Sequence, residues 1–299
     1  MKAAILATVA AATLAAAAPA AVNQKRAAAG QKDIDTVILN YALTLEHLED
    51  AFYHDVLPSA AAFKKAGYPA YVHERFLEIA SHEKSHVNFL TTALGDAAVA
   101  KCEYSFGITT PQSFVATSQL LEGVGVSAYL GAAQNITNPA YLTAAGAILT
   151  TESRHSAWVQ SSAALSDAFG SAYDTPLDFN QVYSLAAPLI TKCPSSNAAL
   201  PVKAFPAATL ASPPTKLGQS VTFKSTKLVA GDKIGFISGL ATVVVDQQDG
   251  KVTLPKEVGY GRTYAVILKK NSKSITDDNT KAGPVAFDIL PTAAQGAAL

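Results

Sequence analysis

Two Glu-x-x-His sequences, Glu83-Lys-Ser-His86 and Glu152-Ser-Arg-His155, place a carboxylate and an imidazole three residues apart. On an α-helix, residues at this spacing share a face, so both side chains of a pair point to one spot. Each pair occupies core positions of its segment's apolar stripe, and Phe76, Ile79 and Leu90 flank the first pair. One such pair arises often by chance, but two pairs in register with the core are rare. Carboxylates and imidazoles that converge in a core are suited to binding metal ions.

Glu122 is the only charged residue between Gln112 and Asn135, in a chain that contains nine glutamates. An unpaired carboxylate in an apolar environment is destabilising or becomes protonated. The alternative is that Glu122 faces solvent, but little of this segment is polar enough to be a solvent-facing helix. We therefore expect Glu122 to be a third carboxylate of the same metal site. Glu46 and Glu49 are both candidates for the fourth, and apolar periodicity does not distinguish between them.

Helical periodicity over residues 33–190 predicts the elements that position these side chains. The connections between the four predicted long helices are short, long and short. The long connection, Gly95 to Gln112, is sufficient to cross the length of a helix bundle. A shorter helix is expected from Phe179 to Thr191. The four long helices are expected over Asp35–Val56, Tyr71–Leu94, Pro111–Asn135 and Asn138–Phe169.

The order of these residues resembles that of ferritin-like di-metal bundles, in which two helices supply one Glu each and two supply Glu-x-x-His. The segment Leu39-Asn-Tyr-Ala-Leu-Thr-Leu-Glu46, followed by Tyr53, looks like the first helix of bacterioferritins. That resemblance favours Glu46 over Glu49 as a ligand and implies that Tyr53 lies beside the metals, as a redox-active or supporting residue. Ordinary core packing is the alternative for Tyr53.

The whole chain also resembles a secreted ferritin-like family. Its members are fungal stress-response and late-sexual-development proteins and plant desiccation-related proteins, and the phrase Ala42-Leu-Thr-Leu-Glu-His-Leu-Glu49 is typical of them. The resemblance covers residues 33–190. It implies two Fe or Mn ions, with iron favoured, that react with dioxygen or peroxide in ferroxidase or other oxidase activity. The implied ligands are bridging Glu83 and Glu152, terminal Glu46 and Glu122, and His86 and His155 on one metal each.

A second hypothesis is a non-enzymatic secreted stress or cell-surface protein whose bundle is a scaffold. In that case the C-terminal region would bind the partner, for example a cell-wall polysaccharide. Residues 194–215 are rich in proline and are expected to be a linker, whereas short β-branched segments over 216–290 predict a small β-sandwich. An immunoglobulin-like arrangement is one candidate. The expected fold class is therefore α+β multidomain, with a ferritin-like four-helix bundle over 33–193.

Residues 1–20 have the pattern of a signal peptide, with Lys2 before an alanine-rich apolar run. Residues 21–32 are expected to be a flexible mature N-terminus and 291–299 a tail.

Secretion favours a disulfide between Cys102 and Cys193. Asn135 begins the Asn-x-Thr sequon and is a candidate glycosylation site. Zero net charge gives no indication of nucleic-acid binding.

No stretch after the signal segment is expected to span a membrane, and the sequence leaves the oligomeric state open. The remaining histidines lack the spacing of the two pairs and are expected at the surface or next to the site. Trp158 is expected to be core packing. These histidines are His47, His54, His73 and His82.

Overall fold

The computed structural model describes residues 33–290. The predicted signal peptide (1–20), flexible mature N-terminus (21–32) and tail (291–299) lie outside the described residues. Across the described part of the chain, no helix is both long enough and apolar enough to cross a membrane.

Four long helices and two short ones make up the N-terminal half. Capping residues fix where two of the long ones begin: the Thr110 side chain accepts a hydrogen bond from the Ser113 backbone, and Asn138 caps the next long helix through Ala140. The second long helix packs against the first, and the fourth against the third. The helices are α1 (Ile34–Asp55), α2 (Ala60–Lys65), α3 (Ala70–Leu94), α4 (Pro111–Ala133), α5 (Pro139–Trp158) and α6 (Phe179–Ala186).

The long connection between α3 and α4 runs along α1. Near the start of α1, the Asn40 side chain donates to the Ala97 carbonyl (3.0 Å) and accepts from the Val99 amide (2.9 Å). Near the end of α1, the ring of Phe52 lies 5.3 Å from that of Phe106. The connection therefore crosses the length of the bundle, as the loop pattern predicts.

Two predicted helix ends are wrong. The fourth long helix does not continue to Phe169, because it changes to a π-helical turn at Val159–Ala163 and Leu165 then adopts a φ of 53°. Helix α6 ends at Ala186 rather than at Thr191. Pro188 lacks the N–H that a continuing helix needs, and the chain enters a short strand instead. That strand, β2 (Ile190–Lys192), pairs with β1 (Glu103–Tyr104) of the long connection.

The C-terminal half is a β-sandwich of a three-stranded and a four-stranded antiparallel sheet. Strand order is β3-β4-β7 in the first sheet and β6-β5-β8-β9 in the second. Phe223 and Phe236, from opposite sheets, meet in the shared core with ring centroids 6.0 Å apart. The pairing resembles that of immunoglobulin-like sandwiches, except that β6 pairs with β5 instead of β7. The strands are β3 (Thr209–Leu210), β4 (Ser220–Lys224), β5 (Lys233–Ser238), β6 (Ala241–Asp246), β7 (Lys251–Thr253), β8 (Gly261–Leu268) and β9 (Thr280–Ile289).

The sandwich packs directly on α4. The buried Tyr264 hydroxyl donates to the Gly123 carbonyl (3.1 Å) and lies 2.8 Å from the Ser127 hydroxyl. Arg262 donates to the Gln119 carbonyl (3.1 Å) and forms an ion pair with Asp288 (2.7 Å). Residues 34–290 consequently belong to one compact unit, in which β8 covers the face of α4 that is turned away from the bundle.

The predicted disulfide is formed between Cys102 and Cys193, which are 91 residues apart. It ties the long connection to the segment that follows α6.

A crosslink of this span restricts the unfolded chain, so replacing both cysteines by alanine should lower the free energy of unfolding by about 4 kcal/mol in denaturant titrations. Asn197→Ala is the control, because Asn197 joins the same segments through two hydrogen bonds to Ala100 of 2.8 Å each and its loss should cost only about 1 kcal/mol. Equal losses would contradict the crosslink's role.

Candidate metal centre

All four long helices turn acidic side chains into the centre of the bundle. Helix α1 contributes Glu46, α3 contributes Glu83 with His86, α4 contributes Glu122, and α5 contributes Glu152 with His155. The four glutamates have no solvent exposure, and the two imidazoles are nearly buried. The structure thus brings together the six residues that the sequence nominates, including Glu46.

The side chains form two groups of four. Within each group the ligand atoms lie within 4.8 Å of one another. Both groups include Glu83 and Glu152, the residues to which the resemblance assigns bridging positions. The first group is Glu46, Glu83, His86 and Glu152, and the second is Glu83, Glu122, Glu152 and His155.

The Nδ1 atom of each histidine lies among carboxylate oxygens. His86 Nδ1 is 3.2 Å from Glu83, 3.2 Å from Glu152 and 3.3 Å from Glu46. His155 Nδ1 is 3.1 Å from Glu83 and 3.2 Å from Glu122. Ligands about 2.1 Å from a shared ion are themselves separated by about 3.0–3.4 Å. The two histidines therefore have the separations from carboxylates that a shared metal ion requires.

Several of these buried atoms lack a hydrogen-bond partner among the described residues. They include both oxygens of Glu152, one oxygen each of Glu46, Glu83 and Glu122, and Nδ1 of His155. Buried polar atoms are normally paired, and orphaned ones require an explanation. Metal ions would satisfy all of them at once, so the residues present fit a di-metal centre.

Burial dominates the electrostatics of the site. It raises the pKa of Glu46 to about 7 and, together with neighbouring carboxylates, raises that of Glu152 well above its usual range. Burial also opposes ionisation of Glu83, but contacts with the two imidazoles lower its pKa to about 2. Although burial disfavours an imidazolium, Glu122 and Glu83 raise the pKa of His155 to about 10. Without metal, protons therefore supply the compensating positive charge.

Two tyrosines hold the outer carboxylates. The buried Tyr53 hydroxyl donates to Glu122 and lies 2.7 Å from the Ser118 hydroxyl. The Tyr129 hydroxyl donates to Glu46 on the other side of the site. The structure thus places Tyr53 against a candidate ligand. Tyr129 has the same relation to the site, although the sequence analysis did not identify it. Its position seven residues after Glu122 on the same helix was a usable signal.

His82 extends the site to the surface. Its Nδ1 lies 2.9 Å from His155 Nε2, and the two rings are stacked with centroids 5.1 Å apart. If His155 binds a metal through Nδ1, its Nε2 carries the proton and donates it to His82. Metal-bound histidines usually have such a partner, which fixes the ring and the tautomer. The spacing of His82 and His86, four residues apart on α3, also signalled a shared face.

The other three histidines, which were expected at the surface or next to the site, lie outside it. His47 bonds to the Val99 carbonyl (3.1 Å), His54 contacts Asp50 (3.0 Å), and His73 packs near Phe63. Trp158 packs edge-on against the Phe76 ring, 5.2 Å away.

Glu49 is buried beside the site without belonging to either group of ligands. Burial and the nearby Glu152 carboxylate raise its pKa well above the usual range. A narrow cavity of about 20 Å³, with mostly apolar walls, lies between α1, α4 and α6 and reaches Glu49 and Gly125. A Cβ atom on Gly125 would lie only 3.1 Å from Glu152 and 3.3 Å from Glu49. The absence of a side chain at residue 125 therefore makes room for both carboxylates.

A family model described as "Ferritin-like domain" matches residues 34–164, the span that contains all six candidate ligands. This region is a ferritin-like domain. The match ends with the π-helical turn after α5, so α6 and the sandwich lie beyond the ferritin-like domain.

Protein rds1 of Schizosaccharomyces pombe is similar to this chain. The two are 29% identical over 184 residues, which is 61% of this chain and 46% of the relative. The chain thus spans just under half of the relative's length. The resemblance to a ferritin-like family with fungal members is confirmed.

Gly125→Ala should lower metal affinity about tenfold or more, because the added methyl group displaces the Glu152 or Glu49 carboxylate. The matched control is Gly146→Ala, where the added methyl group has no neighbour within 4 Å and should stabilise α5 by about 0.5–1 kcal/mol. Metal titration followed by calorimetry measures the affinities. An unchanged metal affinity in Gly125→Ala would contradict this expectation, by showing that the two carboxylates do not need the space beside residue 125.

His82→Ala should weaken metal binding by about 10–100-fold, because His155 loses the partner that fixes its ring and tautomer. His82→Gln retains a hydrogen-bond acceptor and should recover part of the affinity. His73→Ala, a histidine of the same helix that faces Phe63, should leave the affinity unchanged. Metal titrations of the three variants test the expectation, and equal behaviour of His82→Ala and His73→Ala would contradict it.

Proposed function

We propose that the ferritin-like domain binds two Fe or Mn ions, with iron favoured, and oxidises Fe(II) or a related substrate. The observation that carries this proposal is the pair of overlapping ligand groups that share Glu83 and Glu152. Four carboxylates and two imidazoles suit hard or borderline cations. The four negative charges balance two divalent ions, which accounts for carboxylates that would otherwise be destabilising in an apolar bundle.

When bound, the metal ions would supply redox chemistry with dioxygen or peroxide as the oxidant. The surrounding residues bind and orient. Tyr53 and Tyr129 hold the outer carboxylates, Glu122 and Glu46, by hydrogen bonds from their buried hydroxyls. His82 holds the ring of His155. The packed aromatic cluster that includes Phe76 and Phe114 excludes water from one end of the site.

We further propose that the protein acts outside the cell. The signal-peptide pattern at residues 1–20 and the disulfide between Cys102 and Cys193 support secretion. Asn135, the candidate glycosylation site, is exposed at the turn between α4 and α5. The resemblance to stress-response and developmental proteins suggests the biological setting. The alternative, a non-enzymatic scaffold that binds a surface partner, is supported by the close packing of an added sandwich on the bundle.

Elemental analysis of the purified protein, with assays of Fe(II) oxidation, tests the proposal. We expect about two metal ions per chain. Glu122→Ala and His155→Ala should each lose metal and oxidation, whereas Glu74→Ala, an exposed glutamate of α3, should keep both. A protein that binds no metal after anaerobic loading with Fe(II) would refute the di-metal centre. A protein that keeps its metal but does not oxidise Fe(II) would refute the ferroxidase activity and leave the metal with a structural role.

A further inference from the structure

A cleft of about 220 Å³ lies where α4, α5, the segment after α5 and strand β8 meet. By volume it would hold about seven water molecules at liquid density. None of the six candidate metal ligands lines it. The cleft is therefore a separate concave site at the junction of the bundle and the sandwich, a preferred place for small-molecule binding.

The segment that forms one rim of the cleft is anchored at both ends. At one end, Gly170 packs so closely on Gly261 that a Cβ atom on Gly170 would lie 2.8 Å from the Gly261 Cα. At the other end, the buried Thr175 hydroxyl donates to the Arg262 carbonyl (2.8 Å) and accepts from the Gly239 amide (2.7 Å). The residues between these anchors are therefore held in place on the sandwich.

Two aromatic side chains are exposed to solvent at the cleft: Tyr173 lies between the two anchors, and Phe169 immediately precedes the first. Phe169 is 84% exposed and Tyr173 is 62% exposed, and both line the cleft. Exposed aromatic rings at a concave surface are well suited to binding, because each ring offers a large apolar area for stacking. The two rings flank a cavity whose other walls are mixed, with polar side chains beside Val126 and Ala157.

The opposite wall offers hydrogen-bonding groups from α5. Within the described residues, the side chains of Ser153, Ser156 and Gln160 form no hydrogen bond, although all three line the cleft. Amide and hydroxyl groups of this kind both donate and accept hydrogen bonds. Such a wall is suited to a ligand rich in hydroxyl groups.

The charges at the cleft disfavour an anionic ligand. Arg262 is already committed to Asp288 through two hydrogen bonds of 2.7 and 3.1 Å. The remaining charged group of the lining is Asp174, whose pKa is raised by burial and lowered by Arg262. With no uncommitted positive charge in its lining, the cleft has nothing to attract a phosphate or carboxylate.

We infer that this cleft binds a neutral saccharide. The apolar C–H face of a sugar ring would stack on Phe169 or Tyr173, while its hydroxyls bond to the α5 side chains and to Asp174. The cavity has room for about one sugar unit, and the exposed rings extend the surface beyond it for a chain. This saccharide site is independent of the metal centre, so it stands or falls separately from the proposed oxidation.

Calorimetric titration of the full chain with cellotriose, laminaritriose and chitotriose tests the inference. We expect at least one of these neutral trisaccharides to bind at millimolar or lower concentration. Phe169→Ala and Tyr173→Ala should each weaken that binding by about tenfold, which is the loss expected when one aromatic ring no longer stacks on the sugar. Because both side chains are exposed, neither change should alter the unfolding midpoint, and metal content should stay constant.

Leu165→Ala is the matched control, since Leu165 is also 84% exposed, lies on the same segment and does not line the cleft. It should bind the trisaccharide as the unaltered chain does. Failure of all three trisaccharides to bind would overturn the inference. Equal weakening by Leu165→Ala and Phe169→Ala would also overturn it, by showing adhesion to any exposed apolar side chain.

Discussion

The bundle has to accommodate a cluster of carboxylates that it hides completely from water. Five glutamates lie in one apolar interior, where burial raises the pKa of Glu46, Glu49 and Glu152, while the two imidazoles lower that of Glu83 against the effect of burial. Positive charge must enter with them, as protons on the imidazoles or as metal ions. Four of the five have a partner, which is a tyrosine hydroxyl, an imidazole or a position suited to a metal, whereas Glu49 lies beside the site outside both ligand groups. The five residues are Glu46, Glu49, Glu83, Glu122 and Glu152.

That constraint also explains why a sandwich is built onto the bundle. Helix α4 is buried continuously from Leu121 to Tyr129, so it has no solvent-facing side through its middle. The metal site lies against one face and β8 against the other. Glycines leave room on both faces of α4. Arg262 packs against Gly123, and the carboxylates of Glu152 and Glu49 lie beside Gly125. The sandwich shields from water the helix that carries Glu122.

Periodicity and spacing were sufficient to predict the long helices, the crossover and five of the six candidate ligands, because each depends on which residues share a helix face. The sixth, Glu46, was favoured over Glu49 only by the resemblance to bacterioferritins. Three features were not predictable in that way. The end of α5 is set by a π-helical turn and a left-handed Leu165, for which the sequence has no strong signal. Strand β9 contains Gly283 and Pro284, residues that argue against a strand. For Tyr129 and His82, spacing indicated the helix face on which each lies but not which residue of a neighbouring helix each contacts.

Glu122 lies buried among the candidate ligands, where its sequence context predicts it. The single glutamate on an almost uncharged helix favoured a metal-binding role for that residue. The structure supplies a second cause for the low charge, because β8 and Tyr264 cover the side of α4 opposite the bundle. Apolar composition alone therefore does not distinguish a ligand-bearing helix from one covered by another domain. The register of Glu122 with Glu83, Glu152 and the two histidines makes this distinction, since it places carboxylates of different helices at one point.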